Sequence, residues 1–147
     1  MKKILVVNGP NLNLLGEREQ AIYGKESLDE IEQKLVSMGR EAQIEVEFFQ
    51  NNHEGDIVDQ LQKAKGRFDC IVINPAAFTH TSIAIRDTLA AIGVPTIEVH
   101  MSNIYAREEF RRHSFVAPVV RGQISGFGAY SYVLAFLAAK AILAGEQ

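Results

Sequence analysis

The chain has 147 residues, of which 47% are hydrophobic and 22% are charged, and its formal net charge at pH 7 is −3. These values are typical of one globular domain, residues 1–147, and exclude both a disordered chain and a coiled coil. Lys and Arg are scattered along a mildly acidic chain, which lacks the basic surface that binding to nucleic acid requires.

The first strand is predicted at the N-terminus, where an apolar run imitates the start of a signal peptide. The run covers residues 4–7 only, because Asn8, Gly9 and Pro10 end it, and a signal peptide needs a longer one. The apolar stretch 127–143 is interrupted by polar residues and is too short to span a membrane comfortably. The single cysteine, Cys70, lies in an apolar run and has no disulfide partner, as is usual in a reducing compartment. We therefore expect a cytoplasmic protein without membrane contacts.

Short β-branched runs alternate with helical patterns along the whole chain. The runs favour strands at residues 4–8, 44–50, 70–74 and 96–100, with a shorter strand near 116–120. Helices are predicted at 27–40, where Ser27 and Glu30 match a capping box, and at 54–65, 79–92 and 129–144. This alternation predicts a three-layer α/β fold of the flavodoxin-like type, with a five-stranded parallel sheet in the order 2-1-3-4-5 and helices on both faces.

Polar segments follow each of the first four predicted strands. Residues 8–13, 51–55, 74–80 and 98–103 are rich in Asn, His and Gly. Asn and Gly are ordinary turn residues in any one loop, but the carboxyl ends of parallel strands meet at one edge of the sheet, where ligands bind. A cluster of Arg107, Arg111 and Arg112 follows the fourth segment and is either a solvated helix face or a site for a small anion. The sequence therefore predicts one polar site at this edge.

The predicted edge lacks the motifs of the common cofactor sites. It carries no Gly-x-Gly-x-x-Gly, no Walker loop and no Ser/Thr-rich first loop of the flavin-binding type. A response-regulator receiver would need acidic residues where this chain has Asn. A metal site built from Glu98 and the histidines remains an alternative, although the short ligand spacing of zinc motifs is absent. The remaining Asn, His, Arg, Tyr and Ser side chains suit a polyhydroxylated anion and proton transfer, without a cofactor or metal.

The chain resembles the type II 3-dehydroquinate dehydratases in several motifs that follow one another in order from residue 8 to about residue 137. The motifs are Asn-Gly-Pro-Asn-Leu-Asn-Leu-Leu-Gly at 8–16 with Arg18 and Tyr23, Asn-His-Glu-Gly at 52–55, Asn-Pro-Ala-Ala at 74–77, Thr-His-Thr-Ser at 79–82, Ile-Arg-Asp at 85–87, Glu-Val-His at 98–100 with Ser102 and Asn103, Arg-Glu-Glu-Phe at 107–110, and Gly-Phe-Gly at 126–128. Three residues, Gln20, Phe78 and Tyr105, depart from the family pattern at positions to which the resemblance assigns no catalytic role.

The resemblance implies dehydration of 3-dehydroquinate to 3-dehydroshikimate, by removal of a proton next to the ketone and loss of the neighbouring hydroxyl through an enolate. By the same resemblance, Tyr23 is the base and His100 is the acid that protonates the leaving hydroxyl. Arg18 is expected to stabilise the ionised phenol, with Arg107 as a second candidate. Glu98 lies two residues before His100 on the same face of a strand and is expected to orient the imidazole. Without the resemblance, Tyr23 also fits an exposed loop aromatic, and His100 a buried structural histidine.

The resemblance also implies a set of substrate-binding groups. Asn11 is expected to hold the imidazole or a bound water near the developing enolate oxygen, in the manner of an oxyanion site. Asn74, Ser102 and the backbone N–H of Met101 are expected to bind the substrate carboxylate. The ring hydroxyls of the substrate are then expected to contact His80 and Arg111.

Asp87 is predicted to act in the site of a neighbouring subunit. It lies seven residues after His80 on the predicted third helix, and therefore about 10 Å further along the helix axis. One pocket does not easily hold both residues from one chain. This agrees with the homo-oligomer that the resemblance implies, a dodecamer built from trimers. The last helix, which is apolar nearly all round, independently points to contacts with a partner.

The main alternative from another functional class is a non-catalytic flavodoxin-like module that binds a small anion. Within enzymes, a type I dehydroquinase would use a lysine Schiff base, and no lysine lies in the four polar segments. A metal-dependent dehydratase would need a set of metal ligands. The sequence therefore favours chemistry performed by side chains alone.

Overall fold

The computed structural model describes residues 1–146, in which five parallel strands form one sheet in the order β2-β1-β3-β4-β5. The strands are β1 (Lys2–Asn8), β2 (Ile44–Gln50), β3 (Cys70–Asn74), β4 (Thr96–His100) and β5 (Gly122–Ser125). The helices are α1 (Gln20–Tyr23), α2 (Leu28–Ala42), α3 (Glu54–Ala64), α4 (Ile83–Ile92) and α5 (Tyr130–Leu143). The predicted flavodoxin-like strand order is confirmed.

Two hydrophobic clusters cover the two faces of the sheet. Alternate residues of a strand point to opposite faces, so Ile4 and Val6 of β1 pack with α2 and α5, whereas Leu5 and Val7 pack with α3 and α4. All five residues of β3 are buried, as expected for a central strand covered on both sides. This three-layer packing leaves the carboxyl ends of the strands at one exposed edge.

Serine caps begin two of the helices. Ser27 Oγ accepts a hydrogen bond from the backbone N–H of Glu30 at 3.2 Å, which confirms the predicted start of α2. The third predicted helix, however, does not begin at residue 79. Residues Ala76–His80 form a 3₁₀ helix, and α4 starts at Ile83 because Ser82 Oγ accepts from the N–H of Ile85 at 2.9 Å.

The short strand predicted near residues 116–120 was placed too early. Ser114 Oγ accepts hydrogen bonds from the backbone N–H groups of Val116 and Ala117, at 3.1 and 2.9 Å, and Pro118 has no N–H to donate. The segment therefore forms a 3₁₀ turn at Ala117–Val119. The fifth strand follows it at Gly122–Ser125, where Gln123 lies beside Glu98 of β4.

The last helix is only partly covered by its own chain. Tyr132, Ala135, Phe136 and Ala139 of α5 are buried against the sheet, while Leu137 keeps 45% of its surface exposed. Across residues 1–146, the helices are all too short or too polar to cross a membrane.

Two helical glycines provide a test of how tightly α2 packs on β2. A Cβ added at Gly39 would lie 2.6 Å from the carbonyl oxygen of Ile44 and 2.9 Å from Val46, whereas a Cβ at Gly55 in α3 would meet nothing within 4 Å. We expect Gly39→Ala to destabilise the fold by about 1–3 kcal/mol, because the clash is with backbone. Gly55→Ala should instead be neutral or stabilise by up to about 1 kcal/mol. Urea unfolding checks this, and equal midpoints for the two variants would contradict the packing.

Candidate active site

A pocket opens at the carboxyl ends of β1, β3 and β4, at the edge where the sequence placed the site. Its walls contain nine of the predicted site residues, namely Asn11, Arg18, Tyr23, Asn74, His80, His100, Met101, Ser102 and Arg111. Arg107 lies in the same wall, while Glu98 is buried behind His100. The sheet therefore gathers residues that are up to 100 positions apart into one polar pocket.

Tyr23 lies between two arginines. Nη1 of Arg107 donates to the phenolic oxygen at 2.8 Å, and Nη2 of Arg18 donates to the same oxygen at 3.3 Å. Both guanidinium groups also lie over the ring, with their central carbons 4.6 Å (Arg18) and 5.2 Å (Arg107) from its centroid. A second bond from Arg107 to Ser102 Oγ, at 3.2 Å, ties this cluster to the loop after β4. The phenolic oxygen of Tyr23 therefore accepts hydrogen bonds from two cationic side chains.

His100 and Glu98 form a buried pair on one face of β4. The ring nitrogen Nε2 of His100 lies 2.5 Å from Oε2 of Glu98, and the two residues are 5% and 0% exposed. Thr79 Oγ1 donates to the same carboxylate at 2.6 Å, and Ser114 Oγ donates at 2.9 Å. Burial by itself raises the pKa of Glu98, but the hydrogen bond and charge of His100, the bond from Thr79 and the neighbouring amide of Gln123 outweigh it and hold that pKa below its usual range.

His80 stands next to His100 in the pocket with its ring stacked on that neighbour, the centroids 6.4 Å apart. Its Nδ1 lies 2.8 Å from the carbonyl oxygen of His113, which assigns the Nδ1–H tautomer to a neutral ring. Burial lowers the pKa of His80, and the nearby His100 and Arg111 lower it further. A neutral His80 therefore presents Nε2 as a hydrogen-bond acceptor.

Asn74 is held by a buried polar network at the end of β3. Its Nδ2 donates to the hydroxyl of Tyr132 at 2.9 Å, and that hydroxyl donates to Oδ1 of Asn8 at 2.6 Å. Its Oδ1 accepts from the backbone N–H of Ala76 at 3.1 Å. Ala76 has a φ of 53°, a left-handed conformation that costs a non-glycine residue about 1–3 kcal/mol. The strained turn and the network together orient the Asn74 amide.

The loop after β1 places Asn11 in the pocket through a close contact with the loop after β3. The N–H of Gly9 donates to the carbonyl oxygen of Asn74 at 2.8 Å, and a Cβ at Gly9 would lie 2.4 Å from the carbonyl oxygen of Pro75. Asn11 follows in the left-handed region at φ 70°, with its N–H bonded to Oδ1 of Asn52 at 3.0 Å. Asparagine adopts this conformation more readily than other side chains do.

The remaining predicted residues differ in their relation to the pocket. Met101 and Ser102 are both buried directly after β4, and both line the pocket. Arg111 lies in the wall and forms an ion pair with Glu108. Asp87 does not line the pocket and is exposed on α4. The premise that His80 shares a helix with Asp87 is wrong, because His80 belongs to the preceding 3₁₀ helix.

Sequence reasoning gave no role to the side chains whose hydrogen bonds orient the predicted site residues. Thr79 and Ser114 bind Glu98, and Tyr132 and Asn8 orient Asn74. Thr79 stood within a motif, but Ser114 lies 16 residues after Glu98 in a segment without any polar pattern. No spacing rule connects residues that meet only after the chain folds. Across residues 1–146, no group of three or more His, Cys, Asp or Glu side chains is arranged to hold a metal ion.

Comparison with known proteins identifies the family. Residues 2–140 match the family model described as Dehydroquinase class II. A 3-dehydroquinate dehydratase of Acaryochloris marina is 60% identical over 131 residues, which cover 89% of this chain and 88% of that protein. One from Caldicellulosiruptor bescii is 55% identical, with 97% and 99% covered. The crystal structure of the type II dehydroquinase from Butyrivibrio crossotus superposes with a TM-score of 0.91 at 49% identity, covering 93% of this chain and 96% of that one. The chain therefore belongs to the class II dehydroquinase family.

Proposed function

We propose that this chain is a 3-dehydroquinate dehydratase, a hydro-lyase that eliminates water from 3-dehydroquinate through an enolate and gives 3-dehydroshikimate. Family membership over residues 2–140 and relatives of that name at 53–60% identity support the reaction. One observation carries the mechanism. A phenol bound by two guanidinium groups shares a pocket with an imidazole bound by a buried carboxylate. These are a base and an acid held in contrasting electrostatic surroundings.

Tyr23 is the proposed base. As a phenolate stabilised by Arg18 and Arg107, it removes the proton next to the substrate ketone, and the electron pair moves onto the ketone oxygen to form the enolate. Asn11, in the wall of the pocket, is the proposed donor to that developing oxyanion. Arginine suits this arrangement because its charge persists at every physiological pH.

His100 is the proposed acid. When the enolate collapses, the carbon–oxygen bond of the neighbouring hydroxyl breaks, and the departing oxygen takes a proton from the imidazolium to leave as water. Because Nε2 is bound to Glu98, Nδ1 is the ring nitrogen available for this transfer. The carboxylate of Glu98 stabilises the imidazolium before the proton leaves, so Glu98 acts through His100 as a positioning residue.

The remaining wall residues are proposed to bind the substrate. The Asn74 amide uses one of its two N–H bonds on Tyr132 and keeps the other for the substrate carboxylate. Ser102 and the backbone N–H of Met101 are the proposed further donors to that carboxylate. His80, with Nε2 free to accept, and Arg111 are proposed to bind the ring hydroxyls.

The reaction is tested by adding 3-dehydroquinate and following the ultraviolet absorbance of the conjugated enone product. The enzyme produces a continuous rise, which EDTA treatment or borohydride with substrate should leave unchanged, because neither a metal nor a Schiff base is involved. A non-catalytic anion-binding module would bind the substrate and leave the absorbance flat. A flat trace, or loss of the rise after either treatment, would reject the proposed function.

Replacement of Tyr23 by phenylalanine should abolish turnover while preserving the pocket. The change removes only the oxygen that becomes the base, so we expect kcat to fall by about a thousandfold or more and KM to change little. Tyr105→Phe is the matched control, because Tyr105 is 54% exposed and its hydroxyl reaches only Gln123, at 3.4 Å. Steady-state kinetics of both variants check the role. Near wild-type kcat in Tyr23→Phe would remove Tyr23 from the mechanism.

We also propose that the chain assembles into a homo-oligomer, a dodecamer built from trimers, in which Asp87 contributes to a neighbour's site. Asp87 is exposed on α4 and lies outside the pocket of its own chain. Ile83, on the same helix, is 57% exposed, and Phe110 and Phe127 are 64% and 62% exposed. Aromatic residues are enriched in protein interfaces, so the exposed phenylalanines support contacts with a partner.

A mixing experiment tests the shared site. Asp87→Ala and Tyr23→Phe should each lower activity as pure assemblies and leave the subunits folded. When the two variants are dissociated and reassembled together, a pocket with Tyr23 meets an intact Asp87 from next door, so part of the activity should return. A mixture no more active than the better parent would show that Asp87 acts within its own chain or has no role.

The product and the family support a place in the shikimate pathway, toward the aromatic amino acids. We propose that the reaction occurs in the cytoplasm. The single cysteine, Cys70, is buried and free, which agrees with a reducing compartment.

A further inference from the structure

The surroundings of the Glu98 carboxylate consist of hydrogen-bond donors. Oε2 of Glu98 receives Thr79 Oγ1 at 2.6 Å and His100 Nε2 at 2.5 Å, and Ser114 Oγ lies 2.9 Å from Oε1. All four residues are at most 9% exposed. An ionised carboxylate only accepts hydrogen bonds, whereas a protonated one must also donate. The number of donors therefore decides where the proton between Glu98 and His100 resides.

The direction of the Ser114 bond follows from its other partners. Ser114 Oγ accepts from the backbone N–H groups of Val116 and Ala117, at 3.1 and 2.9 Å. A hydroxyl has two acceptor positions and one proton. Both acceptor positions are used, so the remaining proton points at Glu98. The backbone of this 3₁₀ turn therefore makes Ser114 Oγ a hydrogen-bond donor to Glu98. The same turn occupies the segment where the fifth strand was predicted.

We propose that Thr79 and Ser114 are positioning residues that keep the shared proton of the Glu98–His100 pair on the imidazole and thereby set the strength of the acid. The assignment rests on the proposed function, in which His100 protonates the leaving hydroxyl. With both hydroxyls in place, Glu98 stays an anion and its partner is the imidazolium. Without one of them, the carboxylate competes better for the proton, which leaves a neutral ring that is a weaker acid at Nδ1.

Other ionisable groups around the pair come from several elements, and none replaces these hydroxyls. They are His80 of the 3₁₀ helix after β3, Arg107 and Arg111 of the loop after β4, Arg18 and Tyr23 of the first loop and α1, and Arg86 of α4 through the carbonyl oxygen of Phe115. The arginines persist as cations across the accessible pH range. A variant at residue 79 therefore changes the donors of Glu98 without altering the charges around it.

The test compares Thr79→Val with Thr79→Ser and Thr88→Val. Valine matches threonine in shape and removes the donor, while serine restores it. Thr88 is also buried, but its hydroxyl donates to the carbonyl oxygen of Ala84 within α4 at 2.8 Å, so Thr88→Val controls for loss of a buried hydroxyl. In Thr79→Val, the alkaline limb of the pH profile of kcat/KM should move upward by about one pH unit, the scale of one hydrogen bond to a charged group. The plateau should fall about tenfold. Thr79→Ser and Thr88→Val should keep the wild-type limb.

A second readout does not depend on turnover. The chain has 4 histidines, so ¹⁵N-histidine labelling gives few ring signals, and their shifts report which nitrogen carries a proton. In Thr79→Val, the Nε2 signal of His100 should move toward the unprotonated value at a fixed neutral pH. If Thr79→Val does not fold, Ser114→Ala is measured in its place, with the same expected directions.

The outcomes separate this proposal from the proposed function. Absence of turnover in the wild-type protein rejects the function, while the ring-nitrogen comparison still decides where the proton resides. A folded Thr79→Val variant with unchanged ring shifts and an unmoved alkaline limb overturns the proposal. A rate that falls equally at every pH also overturns it, because it shows that Thr79 has only a structural role.

Discussion

The buried carboxylate of Glu98 is the constraint on which much of the site depends. A charge removed from water costs several kcal/mol unless hydrogen bonds and an opposite charge compensate it. Glu98 is 0% exposed, and its compensation comes from three separate segments through Thr79, His100 and Ser114. The 3₁₀ helix after β3, the end of β4 and the turn before β5 must therefore all be in place before the charge is tolerated.

On the opposite side of the pocket, a network of uncharged side chains orients a site residue. Tyr132 of α5 joins Asn8 at the end of β1 to Asn74 at the end of β3, in an environment where burial raises the pKa of the tyrosine. Neutral groups suit this position because α5 and α2 cover it with apolar side chains. The Asn74 amide is thus oriented by the packing of the last helix on the sheet. A residue near the C-terminus thereby positions a group predicted to contact the substrate.

The sequence predicted the strands and loops that a pattern of apolar and polar residues records, and it missed the boundaries that single side-chain hydrogen bonds determine. The strands β1 to β4 followed from apolar runs, and the pocket followed from the polar segments after them, because parallel strands end at one edge. The fifth strand was misplaced, since the side chain of the preceding Ser114 accepts from the N–H groups of Val116 and Ala117, a bond that an apolar run does not reveal. The start of α4 was misplaced because an apolar pattern does not distinguish a 3₁₀ turn from an α-helix, whereas the Ser82 cap does.

The residues of the candidate site also differ in how well the sequence predicted them. Family motifs pointed to Tyr23, which spacing alone would have left as a loop aromatic. Its partner Arg107 lies 84 residues away in the sequence, and no periodic pattern predicts a contact between residues so far apart. Of the residues that support others, Thr79 lies within a family motif but received no role from the sequence, and Ser114 lies outside the motifs. Sequence reasoning therefore found the groups that face the pocket better than those that hold them.

The two proposed proton-transfer groups differ in the sign of the charge that accompanies them. Tyr23 has two cations at its oxygen, and the nearest charged partner of His100 is an anion. The proposed mechanism needs charges of these signs, because its base is negatively charged and its acid is positively charged. Arg107 also bonds to Ser102 directly after β4, the strand that carries Glu98 and His100. One short segment of chain thus carries both the anion beside His100 and one of the two cations beside Tyr23.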